Sequence, residues 1–173
     1  GEGIGGFGKR WKAWERHHGK VDEPDLYLLP TAVNFREAED IARLVATIED
    51  IDQPFSLVIV DTVARAIAGA EENSSTDMGL FVAACDEIKA LTGGALLAVH
   101  HAGKDANRGA RGSTALLGAV DTSLMVSKSE DIVVLRTEKM KDAEPMDDIN
   151  LRMVTVAATI SETSVVLERT DEK

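Results

Sequence analysis

Two short, unbroken apolar runs constrain this chain most. LVIV fills positions 57–60 and is closed by Asp61, and ALLAV fills 95–99 and is closed by His100 and His101. A strand with one wet face alternates apolar and polar residues, whereas strands covered on both faces read as continuous apolar runs. Such runs are the mark of a parallel sheet, and parallel neighbours need a crossover connection. The interval between them supplies one. A small, polar loop over 68–76 is followed by Met78, Phe81, Cys85 and Ile88 at helical spacing, with Ser75 or Thr76 as the cap and Gly93-Gly94 as the stop. Upstream, LYLL at 26–29 between Pro24 and Pro30 reads as a further buried strand. A helix beginning at Asn34 follows, with Glu37 three residues on in an approximate capping box and Ile41, Leu44, Val45 and Ile48 on one face. Strand, helix, strand, helix, strand predicts an α/β fold with a mostly parallel sheet flanked by helices on both faces.

The pattern changes after residue 120. TSLMV, IVVLRT, LRMVTVA and SVVLER are strand-like runs joined by short polar turns, which predicts antiparallel C-terminal strands. In a chain of 173 residues, one mixed sheet in a single domain over 1–173 accounts for both halves. Ahead of all this, residues 1–8 (GEGIGGFG) are glycine-rich and lead into a short helix carrying Trp11 and Trp14.

Composition excludes some classes of function. No apolar run approaches the roughly 20 residues that span a bilayer, and the amino-terminal stretch has no apolar core of the signal-peptide kind. Cys85 is the only cysteine, so no internal disulfide can form, which suits a reducing cytoplasm. The net charge of −11 repels nucleic acid at long range. Contact with DNA must therefore come from local basic stretches. Two exist: Lys9, Arg10, Lys12, Arg16 and Lys20 against the single Glu15, and Lys104, Arg108 and Arg111 against Asp105.

Ligands of open parallel sheets bind beyond the carboxyl ends of the strands. Asp61 and His100-His101 stand at two such ends. A carboxylate there can hold the waters of a Mg²⁺ that bridges two phosphates, and a histidine on the next strand can hydrogen-bond a terminal phosphate or an attacking water. Successive strand residues point to opposite faces, so only one of the two histidines need face the cleft. The bland alternatives are a turn-capping carboxylate and solvent-facing histidines. The glycine-bearing, basic stretch HHAGKDANRGARGST follows directly, where functional loops occur. Its Lys104, Arg108 and Arg111 are candidates for DNA phosphates or for a nucleotide phosphate on a neighbouring subunit, or else merely keep a surface loop solvated. Lys139 and Lys141, two apart, share a face if their strand continues, which suits a polyanion as well as it suits ordinary strand-end lysines. A metal site built from His17-His18, His100-His101 and Glu2 is a rival use of the histidines, but the spacings match no zinc pattern.

The order GEG, GFGKRWKAW, SLVIVDTVAR, LLAVHHAGKD, RGARGST, EKMKD resembles the RecA-like AAA-family P-loop ATPases of phages and plasmids. These include the RepA-like hexameric replicative helicases and, more distantly, the DnaB-type helicases. The likeness covers nearly the whole chain. It implies a RecA-like ATPase core using ATP and Mg²⁺, acting on DNA and assembling into a ring or filament. Carried over by residue, Asp61 looks like the Walker B aspartate and Glu2 like the glutamate that polarises the attacking water. His100 or His101 looks like the sensor, and Arg111 like the arginine of the motif after it. Lys139 and Lys141 resemble the basic finger that reaches the γ-phosphate of the adjacent subunit. Lysine at 141 lacks the bidentate fork of the arginine common there.

No GxxxxGK[ST] occurs in the sequence. In the family, the P-loop and its strand precede a GEG-type segment, so the resemblance implies a P-loop segment upstream or on another chain. This polypeptide alone is then expected to bind ATP weakly and not to hydrolyse it. The alternative is a RecA-like scaffold or regulatory binding module that works without catalysis. A third reading, a metal-dependent hydrolase, would use the histidine pairs.

Overall fold

The structure is a computed structural model and describes residues 4–22, 25–70, 74–101 and 114–172. Among these the element order is α1 (Ile4–His18), α2 (Ala38–Ile51), β1 (Leu57–Asp61), α3 (Val63–Ala66), α4 (Ser75–Thr92), β2 (Ala95–Val99), α5 (Thr114–Ala119), β3 (Thr122–Ser129), β4 (Ile132–Met140), β5 (Ile149–Ala157) and β6 (Thr163–Arg169). They pack as two compact units. The described residues between 31 and 120 form one, and those between 4 and 30 with those between 121 and 172 form the other.

The first unit is built on the two apolar runs. β1 and β2 pair in parallel from Leu57 opposite Ala95 to Asp61 opposite Val99. α4 fills the crossover. Its N-cap is Ser74, one residue ahead of the position that the sequence suggests, and the Ser74 hydroxyl accepts the Asp77 N–H at 3.2 Å. At the other end Gly93 takes a left-handed φ of 67° and donates its N–H to Lys89, closing the helix where a side chain would be strained. Gly94 then has no room for one. A Cβ there would run into the Phe55 carbonyl oxygen and the backbone of Ser56, so the chain can enter β2 only as glycine.

α2 begins at Ala38 rather than at Asn34. The Asn34 side chain turns the chain instead, accepting the Arg36 N–H at 3.2 Å, while Asp40 Oδ2 accepts the Asn34 N–H at 2.8 Å. That N–H, helped by the Arg43 guanidinium, holds the Asp40 carboxyl below the ordinary carboxylate range. The side chain that accepts the Asn34 N–H is therefore that of Asp40, not of Glu37. α2 and α4 supply the core. Ile41 from α2, Val60 from β1, and Met78, Phe81, Cys85 and Ile88 from α4 are buried together, with the Phe35 ring 5.3 Å from that of Phe81.

Two expectations for the parallel sheet are corrected. LYLL at 26–29 is not a strand and is not buried: Leu26, Tyr27, Leu28 and Leu29 are all about half exposed. Prolines at either end favour extended backbone, but extended backbone becomes a strand only beside an edge that takes its hydrogen bonds. Among the described residues of this unit, the parallel pair is also covered on one face, not two. Val58, Val60, Leu96 and Ala98 pack inward, whereas Ile59 is 56% and Leu97 45% exposed on the other side.

The second unit is an antiparallel sheet of order β3-β4-β5-β6, as the four C-terminal runs predict. It is a separate sheet, not an extension of the parallel pair, so the strands form a two-stranded and a four-stranded sheet in place of one mostly parallel mixed sheet. Helix α1 lies on β5 and β6. Ala13 is fully buried against Ala158 and Val166, Arg16 donates to the Ala157 carbonyl at 3.0 Å, and His17 Nε2 meets Glu168 at 2.6 Å. No described helix is long and apolar enough to cross a membrane.

Candidate functional site at the ends of the parallel strands

Asp61 ends β1 and is exposed. It stands there because the apolar run ends, and because Thr62, largely buried, turns the chain into α3. The Thr62 carbonyl accepts the N–H groups of Arg65 and Ala66, both at 3.0 Å. The Asp61–Thr62 peptide is cis. On the adjoining strand, β2 ends at Val99 and His100-His101 follow. The carboxylate and the histidines thus come from separate stretches of chain to the same end of a parallel pair, where ligands of such sheets bind.

The two faces sort the histidines. Residues 57, 59 and 61 of β1 and 95, 97 and 99 of β2 are exposed, while 58, 60, 96 and 98 point toward the core. His100 continues the core-facing parity and is half-buried. His101 continues the parity of Val99 and Asp61 and is exposed. His101 is therefore the histidine whose position in the alternation matches that of Asp61.

Donor chemistry at Asp61 fits Mg²⁺. A solvent-accessible carboxylate oxygen is the hard ligand that ion takes, and Mg²⁺ keeps most of its waters and adds phosphate oxygens rather than filling an all-protein cage. Among the described residues no group of three His, Cys, Asp or Glu side chains gathers to hold an ion directly. The histidines of the rival metal reading are occupied in part: His17 meets Glu168, and the His18 ring lies 5.0 Å from that of Trp14.

Other predicted site residues fall in two groups. Glu2, Lys104, Arg108 and Arg111 lie outside the described residues. Lys139 and Lys141 belong to the antiparallel unit. Lys139 is half-buried in β4 opposite Ser123, at a point where the register shifts. Lys141 lies one residue past the end of β4, where its N–H donates to the Asp121 carbonyl at 2.9 Å and its ammonium pairs with the Asp121 carboxylate at 3.6 Å. Simple strand alternation therefore does not carry through to 141. A feature that spacing alone only hints at is a stack of aromatic rings along α1. Trp11 and Trp14 are legible as an i, i+3 pair, but the ladder runs from Phe7 to His18.

No curated protein matches the chain. The family model described as an AAA domain matches residues 1–107, which includes α1, α2, β1, α4, β2, Asp61 and both histidines at 100 and 101. With more than half of its length in that match, the chain belongs to the AAA domain family, whose members are P-loop ATPases.

Proposed function

We propose that this chain is the greater part of a RecA-like motor domain that hydrolyses ATP to act on DNA, in replication, recombination or repair, as the RepA-like helicases do. The observation that carries the reading is the pairing of β1 with β2 in parallel, which sets Asp61 and the 100–101 histidines at one end of neighbouring strands. Asp61 would hold Mg²⁺ through water, and that ion supplies charge neutralisation between the β- and γ-phosphates when bound. His101, or else His100, would hydrogen-bond the terminal phosphate or the attacking water. Glu2 is assigned to polarising that water, Arg111, Lys139 and Lys141 to the phosphate on a neighbouring subunit of a ring or filament, and Lys104 and Arg108 to DNA. A P-loop segment, absent from this sequence, would complete the cradle.

The test is an ATPase assay on the chain supplied with a P-loop segment, fused or added separately. Asp61→Ala should lower turnover roughly a hundredfold or more, the scale on which removed transition-state charge stabilisation acts. Turnover near that of the parent would remove Asp61 from the metal site. The second reading is a RecA-like scaffold or regulatory binding module that works without catalysis. Coding sequence upstream of residue 1 that lacks GxxxxGK[ST] would select it.

A further inference from the structure

α1 carries two features that the ATPase reading does not use. The first is an aromatic ladder. Phe7 and Trp11 stack with centroids 6.4 Å apart, Trp11 and Trp14 stack at 5.3 Å, and the His18 ring follows Trp14 at 5.0 Å. At 100° per residue these four positions lie roughly 100–160° around the helix from Ala13, the residue α1 buries in the sheet. The ladder is thus on a different side of α1 from Ala13, with Trp14 (39%) and His18 exposed and Phe7 and Trp11 half-buried.

The second is charge. Lys9, Arg10, Lys12, Arg16 and Lys20 against Glu15 give the stretch from 9 to 20 a charge of +4 within a chain of −11, with Lys9 paired to Glu162 at 3.5 Å and Lys20 to Asp22 at 3.1 Å. Lys12, Glu15 and Arg16 of the helix and Lys20, just past its end, line a groove of about 530 Å³ whose far wall runs from Ala158 to Ser161. By the same rotation Ile4, Gly8 and Glu15 lie between the ladder and Lys12, and a methyl group built on Gly8 would meet nothing within 4 Å.

We propose that α1 binds single-stranded nucleic acid, the cations following the phosphates and the ladder taking the bases. Cationic grooves that track a backbone, flanked by aromatic rings that take bases of any sequence, are how single strands are held without sequence readout. A duplex offers no unstacked base to the ladder, and a purely apolar protein partner would have no use for the +4. The inference deepens the DNA-acting reading above, but it requires neither nucleotide nor Asp61.

Trp11 and Trp14 are the only tryptophans, so tryptophan emission, excited at the red edge where Tyr27 does not absorb, reports α1 alone. Titration of the 173-residue chain with oligothymidylate at low salt should quench that emission. Lys12→Gln with Lys20→Gln, both at exposed positions, should weaken binding about tenfold and reduce the slope of log K against log salt by about 1.4, or about 0.7 for each phosphate that is no longer neutralised. Glu15→Gln should tighten it. Binding with unchanged emission would overturn the proposal, as would no binding, equal quenching by inorganic polyphosphate, or a change in emission that depends on protein concentration alone, which would mark self-association through the ladder. A failed ATPase assay with intact quenching would sink the motor reading and leave this one, and the reverse result would do the opposite.

Discussion

Asp61 and Val99 are register partners, the last residues of two parallel strands, and each has its side chain on the exposed face. The next residue of that parity is His101. In the ATPase assay proposed above, His101→Ala should lower turnover by roughly ten- to a hundredfold, the value of one or two hydrogen bonds to a charged group, with little change in Tm. His100→Ala, at the half-buried position, should instead lower stability and spare the turnover of the folded fraction. The opposite ranking would assign the phosphate contact to His100.

Phe81 is 1% exposed at the centre of the first core, against the tilted ring of Phe35. Phe81→Ala should cost about 3–5 kcal/mol, close to the whole stability of a small domain. A more conservative change, Phe81→Leu, should cost about 1–1.5 kcal/mol and still give a cooperative urea transition. A Phe81→Leu midpoint equal to that of the parent would mean that this core is not formed in solution.

Ser74 secures the start of α4 through its hydroxyl. Ser74→Ala should lower stability by about 1 kcal/mol, and Ser74→Asp, which keeps an acceptor, should recover most of it. Equal urea midpoints for Ser74→Ala and the parent would place the start of α4 elsewhere.

Burial pushes the Cys85 thiol up to about 12, with Asp86 adding to the effect and Lys89 opposing it. The folded state thus holds a proton that the unfolded chain releases near its ordinary value of 9.0. Stability from this site is present below about pH 9 and falls as pH rises from there toward about 12. At about pH 8 the thiol should resist maleimide until denaturant is added. Rapid stoichiometric labelling of the native chain would contradict that burial.

Much of the first unit is legible in the sequence because its signals are local. The apolar runs at 57–60 and 95–99, the helical spacing of Met78, Phe81, Cys85 and Ile88, and the stop at Gly93 are each written within a few residues. Partnership across the chain is less legible. LYLL has the composition of a buried strand, but composition does not supply the edge it would pair with, and the structure leaves it exposed. Asn34 reads as the start of a helix because Glu37 has the capping-box spacing. The observed partner, Asp40, is a full turn further on, and its role depends on the chain doubling back at 34–36. At the site, the placement of Asp61 and of the histidine pair follows from where the runs stop. The choice between His100 and His101 needs the register, and the pairing of Lys141 with Asp121 needs the irregularity near Ser123.

Gly94 lies at the opposite end of β2 from the histidines, pressed against the backbone of Phe55 and Ser56. From there to His101 is about seven residues of extended chain, roughly 23 Å at the usual rise. Because a strand is stiff along its length, the bare contact at its foot acts as a hinge pin for its tip. A side chain inserted at 94 would slide β2 against β1, and the displacement would be felt as misalignment of the carboxylate and imidazole far from the change.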